Sequence, residues 1–422
     1  MRTHDLEATK TRQPGWKGLA SARRAATRPI VVLLILQWMG GMLLSPHRTF
    51  FPIYVKELGY SAVWIAALAT VQQGMGLLAS LIGGTLSDAL GRKWTLLLGQ
   101  VGFLLGSLVF FTVSPGWIAA LWAMGGFGMG LHTLGGQSYL MDAAHADYLG
   151  VLTALYNLGY TLGGTLSSPV AGFLLDRWNY RTFGAALVAL ALAAIAVNLF
   201  PLPPSPAQIG LRTAWRFSIH RKKLFGYGSL ALRPLVMVLV LLRFLPTLYW
   251  GMAVVLIPLL LDAAGATKTA VALYATVSQV VASFAQAIAG RAADRFGVKG
   301  PTTIAFSVLV LSTLGMGLFA GRLWGILVFG ALGTAAAWSL STLLPSMVAA
   351  VLEPKVTAPT ERGRVLGWIH LWWNMAMIGG SLAGGVLFER WAGLPFLVVS
   401  ALNLLSIGLV LRFVPVEHEG RP

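Results

Sequence analysis

The sequence predicts an all-α integral membrane protein of twelve transmembrane helices in two similar halves. Of its 422 residues 56% are hydrophobic and 11% charged, with a mean hydropathy of +0.74. Soluble cores of ordinary size cannot hide that much apolar surface. Apolar runs of roughly eighteen residues or more, enough to span a bilayer, recur from Ile30 to Phe413 between short polar loops. They fall near 30–57, 61–86, 94–113, 116–141, 149–175, 181–200, 231–261, 268–292, 300–320, 322–350, 362–388 and 392–413. Their Ala, Leu, Ile and Gly content favours helices, because a membrane barrel would show short alternating segments instead.

Duplication is the other observation. Gly84-Thr-Leu-Ser-Asp88-Ala-Leu-Gly91-Arg92-Lys93 recurs 206 positions later as Gly290-Arg-Ala-Ala-Asp294-Arg-Phe-Gly297-Val-Lys299. The same offset pairs Pro52 with Pro258, Gly59 with Gly265 and Gln73 with Gln279. Matches at one constant offset mark a duplicated unit.

The net charge of +17 gives topology rather than a nucleic-acid partner. With the N-terminus inside, 23 of the 31 Lys and Arg lie on cytoplasmic segments, 6 on outer loops and 2 within spans. The positive-inside rule then places both termini in the cytoplasm, in a multi-pass protein of the cell membrane. Residues 1–28 read as a basic cytoplasmic tail on anionic lipid, not a cleavable signal. Residues 29–200 form the first half. Residues 201–230 form a cytoplasmic linker, in which Trp215, Phe217 and Phe225 interleave with Arg216, Arg221 and Lys222 as in an interfacial amphipathic helix. Residues 231–413 form the second half and 414–422 a cytoplasmic tail. The chain has no cysteine, which removes disulfides, thiol chemistry and thiolate metal sites.

Six spans, a basic linker and six more, with the G-x-x-x-D-x-x-G-x-K loop after the second span of each half, resemble the major facilitator superfamily, and within it the drug and organic-solute efflux branch. The resemblance covers essentially the whole chain. It implies two pseudo-symmetric six-helix bundles, a substrate site between them near the midplane, and alternating access by rocking of the halves. It also implies a gating role for Gly84, Asp88, Gly91, Arg92 and Lys93, with Gly290, Asp294, Gly297 and Lys299 as a weaker copy. Gly84 would permit close helix approach and Gly91 a tight turn. Asp88 and Arg92 would latch onto the start of helix 11 near Arg362 and Arg364, with Asp142 as a partner for Arg92. The fourth and fifth helices depart from the proton-driven antiporter patterns: Trp122 stands where Arg is usual, and Gly163-Gly164 lacks its Pro.

Charge inside a bilayer is costly, so each intramembrane charge is a site candidate. Arg48 and Arg243 qualify, while all fourteen Asp and Glu fall in tails, loops or span ends. Guanidinium groups without carboxylates favour an anion. Arg243 projects onto Gln37 by the repeat offset, and Gln37 and Arg48 lie on one helical face about three turns apart, so all three could face one cavity. Arg48 could instead snorkel to the outer interface, and Arg243 could bond a carbonyl freed near Pro246. Gln73, Gln279, His132, Tyr156, Asn157, Tyr160, His370, Trp373 and Asn374 complete the candidate cavity set, on helices that the resemblance makes cavity-lining.

The expected function is a secondary active transporter of a small organic or amphipathic anion, lipid-like anions included. The alternatives are a proton-coupled multidrug antiporter and a non-transporting membrane receptor. No catalytic or metal constellation is present in the sequence, so no enzyme activity is expected. No cofactor is expected beyond a proton or ion gradient. The expected partners are the substrate and the bilayer, with no nucleic acid, and the expected state is a monomer.

Overall fold

A computed structural model of the chain describes residues 27–145, 148–204, 233–352 and 359–415. The two tails and the amphipathic part of the linker lie outside them. Twelve α-helices occur among the described residues: α1 Arg28–Glu57, α2 Ala62–Leu90, α3 Arg92–Ser107, α4 Pro115–Ala143, α5 Leu149–Arg177, α6 Tyr180–Leu199, α7 Pro234–Ala263, α8 Lys268–Phe296, α9 Lys299–Leu318, α10 Leu323–Leu352, α11 Pro359–Arg390 and α12 Leu394–Phe413. Ten are long and apolar enough to cross a membrane. The other two, α4 and α5, are rich in glycine and small polar residues.

The repeat is visible in backbone geometry. Gly59 and Gly265 have φ of 89° and 82°, and Gly91 and Gly297 have 90° and 76°. These left-handed turns need glycine, and each pair is separated by the repeat offset. Ser61 and Thr267, also one offset apart, cap α2 and α8 by accepting from the Trp64 and Ala270 N–H groups. The motif lysines do equivalent work. Lys93 Nζ donates to the Leu199 and Leu202 carbonyls at 2.9 and 2.6 Å, and Lys299 Nζ to the Leu411 carbonyl at 2.7 Å. Each places a cation on unsatisfied carbonyls at the end of the sixth helix of its half, which tethers loop to bundle and opposes the negative end of the helix dipole.

Helix packing repeats in the same order. Helix α1 packs on α5, α2 on α4 and α3 on α6, and α7 packs on α11, α8 on α10 and α9 on α12. Small residues allow these approaches in lipid. A Cβ on Gly163 would run into the Trp38 carbonyl, and one on Gly380 into that of Leu248. Gly84 departs from expectation: a Cβ there would meet open space, so no neighbouring helix requires a glycine at that position, and the tight turn lies at Gly91.

Between the halves, α2 packs on α11 and α5 on α8, with α1 against α7. Among the described residues, the bonds across this boundary concentrate at the end opposite the motif loops. Asp176, at the end of α5, accepts from the Lys268 and Thr269 N–H groups at the start of α8, both at 2.8 Å. Glu389, at the end of α11, accepts from Val63 N–H at the start of α2 at 3.0 Å. Thr269 and Val63 are one repeat offset apart, so these are two copies of one clasp: an acid of one half held by the positive end of a helix of the other. Lys56 Nζ meets Asp262 Oδ2 at 2.8 Å, and these residues are separated by 206 positions. Equivalent positions can touch only where the pseudo-twofold axis passes between them. Opposite charges at one repeated position therefore join the halves on their axis.

Candidate functional site

Between the halves lies a cavity of about 1310 Å³, large enough for a drug-sized organic molecule. Helices α1, α2, α4 and α5 line one side and α7, α8, α10 and α11 the other, whereas α3, α6, α9 and α12 contribute no lining residue. Its closed end is the clasped one. Thr70 Oγ1 donates to the Ile378 carbonyl and Thr276 Oγ1 to that of Thr165, adding polar contacts across the boundary. Towards the motif loops the lining includes Leu81, which is 54% exposed, together with Gly367 and Trp368. The cavity opens at the motif end.

Arg48 lies in this lining, with Nη2 against the Met129 sulfur and Nε buried without an acceptor. It does not snorkel away from the interior. Gln73, Gln279, Tyr160, His370, Trp373 and Asn374 also line the cavity. Among the described residues the lining holds no Asp, Glu or Lys, and Arg48 is its one charged side chain apart from the titratable His370.

Five candidates sit elsewhere. Gln37 and His132 are buried outside the lining and bond each other across α1 and α4 at 3.2 Å through Oε1 and Nε2, which leaves His132 Nδ1 buried without a partner. Tyr156 is buried against Gly136 inside the first half. Asn157 is exposed but outside the lining. Arg243 occupies a small side pocket of about 60 Å³ with Pro246, Thr247, Trp250, Ala337, Trp338, Ser341 and Trp373. Its guanidinium lies 5.9 Å from the Trp373 ring centroid. Of Gln37, Arg48 and Arg243 only Arg48 lines the large cavity, and Trp250, Trp338 and Trp373 line both that cavity and the side pocket of Arg243.

Sequence reasoning missed the aromatic wall. Trp250, Tyr274, Trp338 and Trp368 join Tyr160 and Trp373 around the cavity. Trp250 and Trp338 meet edge to face at 5.5 Å, and His370 stacks on Trp373 at 5.1 Å. Such rings offer broad apolar contact with polar tips. On helices that are apolar all round, an aromatic residue carries no pattern that separates cavity from lipid.

At the motif end, Arg92 Nε donates to Asp142 Oδ2 at 2.9 Å and Nη1 to Asp88 Oδ1 at 2.5 Å and Ser87 Oγ at 2.9 Å. The cluster gathers the ends of α2 and α4 and the start of α3 within one half. Arg362 and Arg364 lie outside the residues whose side chains are described. In the second copy, Arg295 lies over its own neighbour Phe296.

Residues 31–350 and 239–422 match the family model of the Major Facilitator Superfamily. The chain belongs to this superfamily. It is 24% identical over 412 residues to the MFS-type transporter YhhS of Escherichia coli K12, covering 92% of this chain and 94% of that one. Among solved structures it is similar to the nucleoside transporter NupG, with a TM-score of 0.74, 15% identity and coverage of 92% and 100%. It is also similar to the inward-open form of the xylose transporter XylE from E. coli, with a TM-score of 0.68, 15% identity and coverage of 93% and 96%. The protein is thus a multi-pass membrane transporter of the superfamily, with its twelve-helix fold of two pseudo-symmetric bundles.

Proposed function

We propose that this transporter is a secondary carrier of an amphipathic organic anion, working by alternating access, in which Arg48 holds the anionic group and the aromatic wall holds the body. The observation that carries the reading is Arg48: a cation in a lining without carboxylates among the described residues, with one nitrogen buried and unbonded. An uncompensated charge in such a place costs several kcal/mol, and a bound anion relieves it. The charge distribution of the loops supports placing the motif end in the cytoplasm. In that orientation the cavity is open inward and the clasped end faces outward. The lack of a carboxylate among the described lining residues argues against a proton-coupled multidrug antiporter.

A ligand thermal-shift screen tests this at two pH values with matched compounds: phenylbutyrate, phenylbutyramide, phenylbutylamine and an anionic lipid. A ligand at a hundredfold its Kd stabilises by about 2.7 kcal/mol, so binding raises the melting temperature visibly. Stabilisation by the acid or the anionic lipid, and not by amide or amine, is expected. Stabilisation by the amine alone would overturn the reading.

A further inference from the structure

The side pocket around Arg243 has the composition of a second anion subsite. We infer that the substrate carries two anionic groups separated by an elongated apolar or aromatic body, one group at Arg48 and the other at Arg243. This deepens the proposed function and rests on it.

Four observations carry the inference. Among the described residues Arg243 has no carboxylate in its pocket, and its described side-chain partner is the Trp373 ring. Trp338 also lines the pocket, and its indole Nε1 is buried without an acceptor. Both groups are obligate donors, so neither can satisfy the other. The Thr247 hydroxyl already donates to the Arg243 carbonyl at 2.6 Å, so towards the pocket it can only accept, and Ser341 supplies a second hydroxyl that can donate. The described pocket thus sets a guanidinium and an indole donor against neutral hydroxyls alone, and an anion supplies the charged acceptor they lack.

Size and position add to this. The volume of about 60 Å³ suits a carboxylate rather than a whole molecule. The body of the ligand must then lie in the large cavity, reached past Trp250, Trp338 and Trp373, which line both spaces. Arg243 is the repeat equivalent of Gln37, eleven positions before Arg48. Helices α1 and α7 run in the same direction about the pseudo-twofold axis, so the two arginines stand at levels about 16 Å apart at 1.5 Å per residue. Two anionic groups on one elongated molecule match that arrangement.

The experiment compares dodecanedioate, its monomethyl ester and dodecanediamine by calorimetric titration of the purified full chain. Wild-type protein is expected to bind the diacid about tenfold or more tightly than the half-ester, and the diamine not at all. Arg243→Gln should remove that preference, and Arg243→Lys should restore part of it. Equal wild-type affinity for diacid and half-ester would overturn the second subsite and leave the anion reading at Arg48 standing. The same holds if Arg243→Gln retains the preference. Tighter binding of the diamine than of either acid would overturn both. The wild-type comparison needs no variant, so a misfolded Arg243→Gln protein does not remove the test.

Discussion

Asp262→Asn is expected to loosen the end of the protein opposite the motif loops. Asp262 bonds Lys56 through one carboxylate oxygen and Lys268 through the other, at 2.8 and 2.6 Å, and Lys268 also reaches Glu57 at 2.6 Å. Exposed ion pairs are worth about 0.2–1 kcal/mol each. The Asp262 and Lys268 side chains are only 16% and 17% exposed, which places their pair at the upper end of that range or above it. Neutralising the carboxylate also leaves Lys56 and Lys268 facing each other. A loss of about 1–2 kcal/mol from the closed arrangement corresponds to a roughly 5- to 30-fold shift in its population. Lys56→Gln should do less, since Lys268 still holds both acids. The chain has no native cysteine, so spin labels on Val113→Cys and Gly321→Cys, both exposed and on different halves, can report the separation directly. A longer-distance population in Asp262→Asn is the expected result. Superimposable distance distributions for the variant and the parent would remove the ion-pair clamp from the account.

The other large effect is at Arg48. A hydrogen bond to a charged group contributes about 1.5–3 kcal/mol, so Arg48→Gln should weaken phenylbutyrate binding roughly 10- to 150-fold. Arg48→Lys keeps the charge but not the planar fork, and should fall between. Without ligand, Arg48→Gln should melt at the same temperature as the parent or higher, because it removes a cation that no carboxylate in the cavity compensates. That sign separates loss of a ligand contact from loss of folding. Wild-type affinity in Arg48→Gln, measured by calorimetric titration, would contradict the assignment.

The fold was legible because the repeat offset carries geometric content. Gly59 and Gly265, and Gly91 and Gly297, are the positions where the turn demands positive φ, so duplication left them unchanged. Arg48 was legible through cost alone, since a charge amid apolar spans needs a reason. Gln37, His132 and Tyr156 were not, because an amide, an imidazole or a phenol serves equally between two helices or in a cavity, and helices apolar all round show no face. The clasps of Asp176 and Glu389 read as ordinary loop acids. Their meaning appears only when the start of a helix from the other half arrives opposite them. One signal was available in the sequence and went unused: the offset that aligned the glycines also aligns Lys56 with Asp262, opposite charges at a repeated position.

The most direct test of the central claim, that this cavity carries an organic anion on Arg48, is transport of a permanently ionised probe. Phenylpropanesulfonate does not cross lipid as a neutral acid, so its uptake into proteoliposomes preloaded with the unlabelled compound reports the carrier. The account predicts counterflow with the parent protein, none above protein-free vesicles with Arg48→Gln, and no competition from phenylbutylamine. Equal counterflow in the parent and Arg48→Gln, or inhibition by the amine and not by the acid, would contradict it.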